Sequence, residues 1–339
     1  MRFLLHLGLA LSLSLAGTSS FAEPDAMKVL ERMGAAAKQL NYEGVFAYQT
    51  GQNLQSIRII HRSDGQGEVE RLISLNGAAR EVIRTNDLVT CIFPEGKRVH
   101  VNRRPLGRGF PSDLLRRLSS ATPYYEVVSG QQGRVADRIA QELVIKPIDS
   151  YRYGFRLWVD KDSDLLLKSE LVAGDGNVLE TFAFSTVELD KIIPDSLLQP
   201  QISGKEMTWN RTEPESAVNM AAKKNWSRWQ VAWLPEGFSL VAQQNRLKAA
   251  NGAAVEQRVY SDGLSSVSVF IEKIRARHSH LHGGSKMGAV NAFGTILSAH
   301  FVTVVGEVPA KTVEKIGASI SPTDEKPGQA ALWDGEKDD

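Results

Sequence analysis

The spacing of apolar residues changes twice along this chain. Met27, Leu30, Met33, Ala37 and Leu40 recur at helical spacing, and Pro24 suits a first helical position, so residues 24–40 predict an amphipathic helix. From residue 44 the period drops to two. GVFAYQ (44–49), SIRIIHR (56–62), VERLISL (69–75), REVIRT (80–85), LVTCIF (88–93) and RVHVN (98–102) read as strands. Turns rich in Gly, Asn and Asp separate them, as in an antiparallel meander. SDLLRRLSS (112–120) interrupts the series with a second helical patch. Strands resume at YYEVVSG (124–130), AQELVIKP (140–147), GFRLWVD (154–160), LLLKSELVA (165–173) and VLETFAFSTVEL (178–189).

Many sequential strands and few helices predict an α+β fold, mostly antiparallel β. The large unit reads as a curved sheet wrapped over helices, either an open barrel or a half-barrel. Such a sheet has a concave apolar face that a helix or a ligand can occupy. Alternation nominates Val45 or Phe46, Ile57 or Ile59, Leu72, Ile83, Ile92, Phe155 and Trp158 as inward-facing. A phase error of one residue flips a whole strand.

The pattern breaks down over 199–225, which reads as a linker with a short helix near 217–223. A second module starts at Trp226. Trp229, Val231 and Trp233 share one face of a strand, and both tryptophans are candidates for anchoring a peptide partner. Further strands follow, and 309–320 predicts a helix with Val313, Ile316 and Ile320 on its apolar stripe. The tail from residue 321 carries six acids and two lysines and is expected to be disordered.

The N-terminus changes the setting. Arg2 precedes an apolar run of about 14 residues, shorter than the roughly 20 a spanning helix needs. Ser20-Phe21-Ala22 then places small residues at a cleavage site, so residues 1–22 read as a secretory signal peptide. The expected product is a soluble chain of about 317 residues that works outside the cytoplasm, long enough for two domains. The divisions are 1–22 signal, 23–200 large domain, 201–225 linker, 226–320 small domain and 321–339 tail. Net charge is +1, which gives no reason to bind nucleic acid. A single cysteine, Cys91, excludes an intramolecular disulfide, and its strand context predicts burial.

No catalytic constellation is present: no G-x-S-x-G, no H-E-x-x-H and no phosphate loop. Asp160, Asp162 and Asp164 alternate like a calcium loop. Leu165 stands where its glycine belongs and Leu171 where its last carboxylate belongs, so a hairpin turn is the better reading. His278, His280 and His282 lack partner ligands and read as a loop. Neither a metal nor a cofactor is expected. The strongest local feature is the stretch 97–117, which holds seven basic residues and one acid. Arg103, Arg104 and Arg108 there could grip phosphate or carboxylate, with Leu106 and Phe110 beside an apolar tail.

Across nearly the whole chain the residues resemble the RseB/MucB family. NYEGVFAYQTGQNLQSIRIIHR, EVERLISLNGAAREVIR, VTCIFPEGK, YRYGFRLWVDKDSDLLLKSEL, WLPEGF, YSDGLSSVSVFIE and FVTVVGEVP carry the likeness. The resemblance implies a large domain similar to the lipoprotein carriers LolA and LolB, an unclosed barrel with helices in its mouth. It also implies a smaller mixed α/β domain. It implies a periplasmic regulator of the sigma-E-type stress response. Such a regulator binds the periplasmic segment of a single-pass anti-sigma factor and shields it from site-1 proteolysis. Lipid, mislocalised lipoprotein or lipopolysaccharide releases it. Homo-oligomerisation is left open. A lipid or lipoprotein carrier is the competing reading, and the extra module from Trp226 argues against it. An enzyme has no nucleophile, base and orienting group to support it.

Overall fold

The computed structural model describes residues 25–65, 67–85, 88–94, 98–103, 117–118, 121–200, 208–211, 229–247, 254–274 and 282–323. Helix α1 (Ala26–Gln39) opens the chain, and Asp25 caps it by accepting from the Met27 amide at 3.1 Å. Eleven antiparallel strands follow. They are β1 (Tyr42–Thr50), β2 (Asn53–Asp64), β3 (Gly67–Ser74), β4 (Glu81–Thr85), β5 (Leu88–Phe93) and β6 (Arg98–Arg103). β7 (Tyr125–Val135), β8 (Arg138–Pro147), β9 (Gly154–Asp160), β10 (Leu166–Val172) and β11 (Val178–Leu189) complete them. The order runs β6-β5-β4-β3-β2-β1-β11-β10-β9-β8-β7, so the chain ends up pairing β1 with β11 at mid-sheet. β12 (Thr208–Arg211) adds to the β6 edge in parallel, so part of the expected linker is a strand.

The smaller module has a six-stranded antiparallel sheet. It comprises β14 (Ser239–Leu247), β15 (Ala254–Ser261), β16 (Ser266–Lys273), β17 (Gly283–Met287), β18 (Val290–Leu297) and β19 (His300–Gly306). β13 (Trp229–Val231) pairs with β20 (Ile320–Pro322), so Ser321 and Pro322 are strand residues and not tail. After a single helical turn, α2 (Asp195–Leu198), the one longer helix of this half is α3 (Ala310–Ala318), laid on β18 and β19. Both units are thus antiparallel sheets backed by few helices, as the alternation implies. Among the described residues, no helix is long and apolar enough to cross a membrane.

Register settles which residues face inward. Tyr42, Gly44 and Phe46 of β1 lie opposite His61, Ile59 and Ile57 of β2, and Ile59 lies opposite Leu72 of β3. These residues form the concave face. On the far wing, Leu143 opposite Leu157 and Ile145 opposite Phe155 line the same face. Val29, Leu30 and Met33 of α1 pack there with Tyr125, Leu143, Ile145 and Leu157. The helix plugs one wing of the half-barrel, and removing this apolar surface from water stabilises the arrangement by about 25 cal/mol per Å².

Three residues expected to face inward do not. Ile83 aligns with Arg71 and Ile60, on the convex face, where Ile193 and Leu198 cover Ile60. Ile92 lies opposite Glu81 and packs with Val99 and Val101 on that same outer face. Trp158 alternates with Leu157 and also points outward, with the Lys168 ammonium 4.1 Å from its ring centroid. Both faces of these strands are covered, so hydrophobicity alone does not reveal their phase. Cys91 is half-exposed and not buried. Asp160 accepts from Arg138 at 2.8 Å and from the Ser163 amide at 3.0 Å, and so builds the hairpin turn into β10.

His61 anchors the end of α1. Its Nδ1 lies 2.7 Å from the Leu40 carbonyl, its Nε2 lies 3.5 Å from Glu68, and its ring stacks on Tyr42. Burial opposes the charged ring, but the Glu68 carboxylate and Leu40 carbonyl outweigh it and raise the pKa above 6.5. A raised folded pKa gives stability that is complete below the unfolded value and lost as pH rises through the folded one. The stability difference between wild type and His61→Phe is therefore larger at pH 6 than at pH 8.5. Urea unfolding at the two pH values measures it, and an equal difference refutes the assignment.

Candidate functional site

The concave face is only partly filled by α1. Beside the helix lies a cavity of about 380 Å³. Phe46, Ile59, Leu72, Phe155, Phe182 and Phe184 give it an apolar wall, joined by Leu165, Leu166 and Leu171. Leu264 and Glu307, both from the smaller module, complete the lining together with Arg117. The cavity is thus a shared space between the two units. The hollow is open on one side, and a concave apolar wall with polar groups along it is the usual form of a small-molecule site.

The polar groups are few and largely paired. Arg84 Nη1 donates to Glu70 at 2.7 Å. Tyr48 Oη donates to Glu180 at 2.8 Å and Thr50 Oγ1 donates to its other oxygen at 3.2 Å. Glu307 borders the cavity at its rim; the residue as a whole is exposed to solvent, while its carboxyl end is crowded by protein. Burial, reinforced by the Glu180 charge, pushes its pKa up to about 7, while Arg117 pulls the other way.

The seam that closes this space is built from the loop between β8 and β9. Arg152 Nη1 donates to Asp262 at 2.8 Å, and both side chains are 0% exposed. The guanidinium also donates to Asp149 at 2.9 Å and to the Glu236 carbonyl at 2.6 Å. Its carbon lies 5.0 Å from the Tyr124 ring centroid, 5.5 Å from Tyr125 and 5.3 Å from Phe238. Tyr125 Oη donates to Asp262 at 3.1 Å. Gly237 lets the chain pass this cage, since its φ is +84° and a side chain there would strike Tyr124. Nearby, Asn291 donates to Tyr153 at 3.0 Å and Thr312 to the Tyr151 carbonyl at 2.8 Å.

The residues nominated from sequence fall into three groups. Phe46, Ile59 and Leu72 line the cavity, and Ile57 packs against its wall. Ile83, Ile92 and Trp158 lie on the other face of the sheet. Of the basic stretch, Arg104, Arg108 and Phe110 lie outside the described residues, and for Arg103 only the strand is described. Arg117 is not a solvated charge. It donates at 2.6 Å to the carbonyls of both Gly263 and Leu264. His278 and His280 also lie outside the described residues, as does the helix expected at 217–223.

Trp229 is core: it packs with Tyr260, Val269, Val304 and Ile320, and its carbonyl accepts from Arg258. Trp233 sits at the seam, its ring 4.9 Å from that of Tyr151. Sequence reasoning missed Glu180, Glu307, Arg152, Asp262 and Leu264. The Tyr-Arg-Tyr cluster at 151–153, in a turn, was the one local signal for the seam.

Two family models match in series: the MucB/RseB N-terminal domain over residues 25–202 and the MucB/RseB C-terminal domain over 223–321. The chain belongs to the MucB/RseB family. It is 31% identical over 318 residues to the sigma factor AlgU regulatory protein MucB of Pseudomonas aeruginosa PAO1, covering 91% of this chain and 95% of that one. It is 27% identical over 307 residues to the sigma-E factor regulatory protein RseB of Escherichia coli K12, covering 90% and 93%. The family is regulatory and not enzymatic. Among solved structures, the MucA/MucB complex of Pseudomonas aeruginosa matches with TM-score 0.69 at 29% identity, covering 88% of this chain and 99% of that one. Free MucB matches with TM-score 0.58 at 28% identity, covering 89% and 99%.

Glu307 offers a direct test of the shared cavity. Its carboxyl is protonated below about pH 7 and ionises above it, facing Glu180. A raised folded pKa gives stability present at low pH and lost as pH rises through that value. Glu307→Gln mimics the neutral form. The variant and wild type should melt together at pH 6, and the variant should melt higher at pH 8. Thermal unfolding at both pH values checks this, and a variant that melts lower at pH 8 counts against the assignment.

Proposed function

We propose that this protein is a periplasmic regulator that binds the periplasmic segment of a membrane anti-sigma factor and protects it from site-1 proteolysis. Binding of lipid, mislocalised lipoprotein or lipopolysaccharide loosens that grip. The observation that carries the reading is family membership across both domains, together with the solved complex of MucB with MucA. The N-terminal 22 residues, with the form of a signal peptide, support the compartment.

The cavity supports the signal half of the reading. Its wall is aromatic and aliphatic, and a carrier or sensor of acyl chains needs such a wall. Phe46, Ile57, Ile59 and Leu72 are the nominated contacts, with Phe155, Phe182 and Phe184 added. Arg103, Arg104 and Arg108 would attract anionic head groups. The smaller module supplies the partner half, with Trp233 at the seam as its aromatic candidate and Trp229 withdrawn to the core. A pure carrier has no use for a module that closes the cavity it must load and empty.

Ser169 lines the cavity without a large side chain. Ser169→Phe fills part of the space and leaves the partner face untouched. The variant should bind the anti-sigma periplasmic segment as wild type does, but hold it at lipid concentrations that release it from wild type. Lipid titration of the preformed complex, read by fluorescence anisotropy of a labelled segment, measures this. Release at the same concentration from both proteins places the signal elsewhere. Failure of wild type to bind the segment ends the regulator reading.

A further inference from the structure

The turn between β15 and β16 reaches out of the smaller module into the larger one. One carboxylate organises it. Asp262 Oδ1 accepts from the amides of Leu264 and Ser265 at 2.8 and 2.7 Å, which folds the turn. Its Oδ2 accepts from Arg152 and from Tyr125 of the large domain. Gly263 takes φ +105° at the tip. The outcome is that Leu264, only 7% exposed, enters the cluster of Val29, Leu30 and Met33 of α1 and borders the cavity. Arg117 ties down the carbonyls on either side of that step. The same side chain that shapes the turn therefore locks it into the neighbouring domain.

The space behind this turn is small. An apolar cavity of about 150 Å³ holds one benzene, so about 380 Å³ holds on the order of fifteen heavy atoms. That is the size of one acyl chain. Two chains do not fit inside it side by side while Leu264 stays in place.

We propose that the turn 261–265 is a size gate. With Asp262 seated on Arg152 the cavity accepts a single-chain amphiphile, and an amphiphile with two or more chains enters only by lifting the turn and parting the domains at the seam. The inference rests on the lipid-sensing reading above and sharpens it: the signal is chain number, and the response is domain separation. Energetics favour a reversible gate. A buried ion pair adds little net stability, because desolvation offsets its attraction. Opening the seam returns both charges to water, so the closed state can be left at modest cost. A ligand that binds only the open state loses affinity in proportion to how rarely that state is populated.

The test uses the full processed chain and two probes with the same head and the same acyl chain: a lysophosphatidylglycerol and its two-chain phosphatidylglycerol. Affinity is measured by titration, and domain separation by the radius of gyration in small-angle scattering. Wild type should bind the one-chain lipid without change in radius, and the two-chain lipid more weakly with an increase. Asp262→Asn keeps the turn's amide bonds but sets an amide against Arg152. It should bind the two-chain lipid about tenfold more tightly than wild type, with one-chain affinity unchanged. Leu264→Ala enlarges the cavity and leaves the ion pair intact, so it should also favour the two-chain lipid. It keeps the test valid if Asp262→Asn melts too low. If wild type binds both lipids equally with no change in radius, the gate is refuted and lipid sensing stands. If wild type binds neither, both readings fall. Equal gains for both lipids in Asp262→Asn also refute a gate that sorts by size.

Discussion

The fully buried pair Arg152–Asp262 decides how the two halves of this protein meet. Its worth is not mainly in net stability. Removing one partner of a buried pair costs about 3–5 kcal/mol, because the other charge is left without compensation. Any docking that buries Asp262 alone carries a penalty of that order, whereas Arg152 keeps Asp149 of its own loop as a second partner. Full separation carries no such penalty, since water then solvates both. The cage of Tyr124, Tyr125 and Phe238 sharpens the effect, because it gives the guanidinium faces to lie on only in this arrangement. Mis-docking is suppressed while undocking stays accessible. The proposed cycle of grip and release would use that asymmetry more than a rigid seam.

Everything at the cavity depends on that placement. The large sheet on its own is a trough with α1 across one wing. Leu264 and Glu307 add a second side to the trough, and both arrive with the smaller module. The Glu307 carboxyl is pushed up to about 7 by the protein around it and by the Glu180 charge across the seam. Cavity and seam are one structural unit, although their residues are more than a hundred positions apart in the chain.

Much of the frame could be read from the chain because it is written locally. Period-two runs between Gly- and Asn-rich turns located β1–β11, and the stripe Leu30, Met33, Ala37 located α1. The errors have a shared cause. Ile83, Ile92 and Trp158 lie in strands whose two faces are both covered, by the segment around Ile193 and Leu198 or by stacked cations. Alternation then carries no phase. β12 and β17 escaped because Thr-Trp-Asn-Arg and Gly-Gly-Ser-Lys-Met lack the β-branched pattern, and pairing with a neighbour's edge makes them strands. The seam was illegible for another reason. Arg117 counts as a solvated charge in any local reading, yet its partners are carbonyls 146 and 147 residues away. Long-range pairing of that kind leaves no mark on composition.

The cavity's charges also constrain how any amphiphile can lie in it. Glu70, Glu180 and Glu307 border the space with two arginines: Arg84 bonds Glu70 at 2.7 Å, Arg117 acts on Glu307, and Glu180 is left with hydroxyl donors alone among the bonds described. Charges count for more in a partly dry cavity than in water, because the effective dielectric constant is lower. A phosphate brought inside would face Glu180 and Glu307 together and would have to be stripped of water first. An acyl chain meets Phe46, Phe155, Phe182 and Phe184 with no such cost. A phospholipid should therefore lie with its tail inward and its head out, where a phosphate stays hydrated and within reach of basic side chains. The head then contributes attraction and the tail contributes displacement. In the proposed gate only the tail would press on Leu264, and through it on the pair at the seam of the two domains.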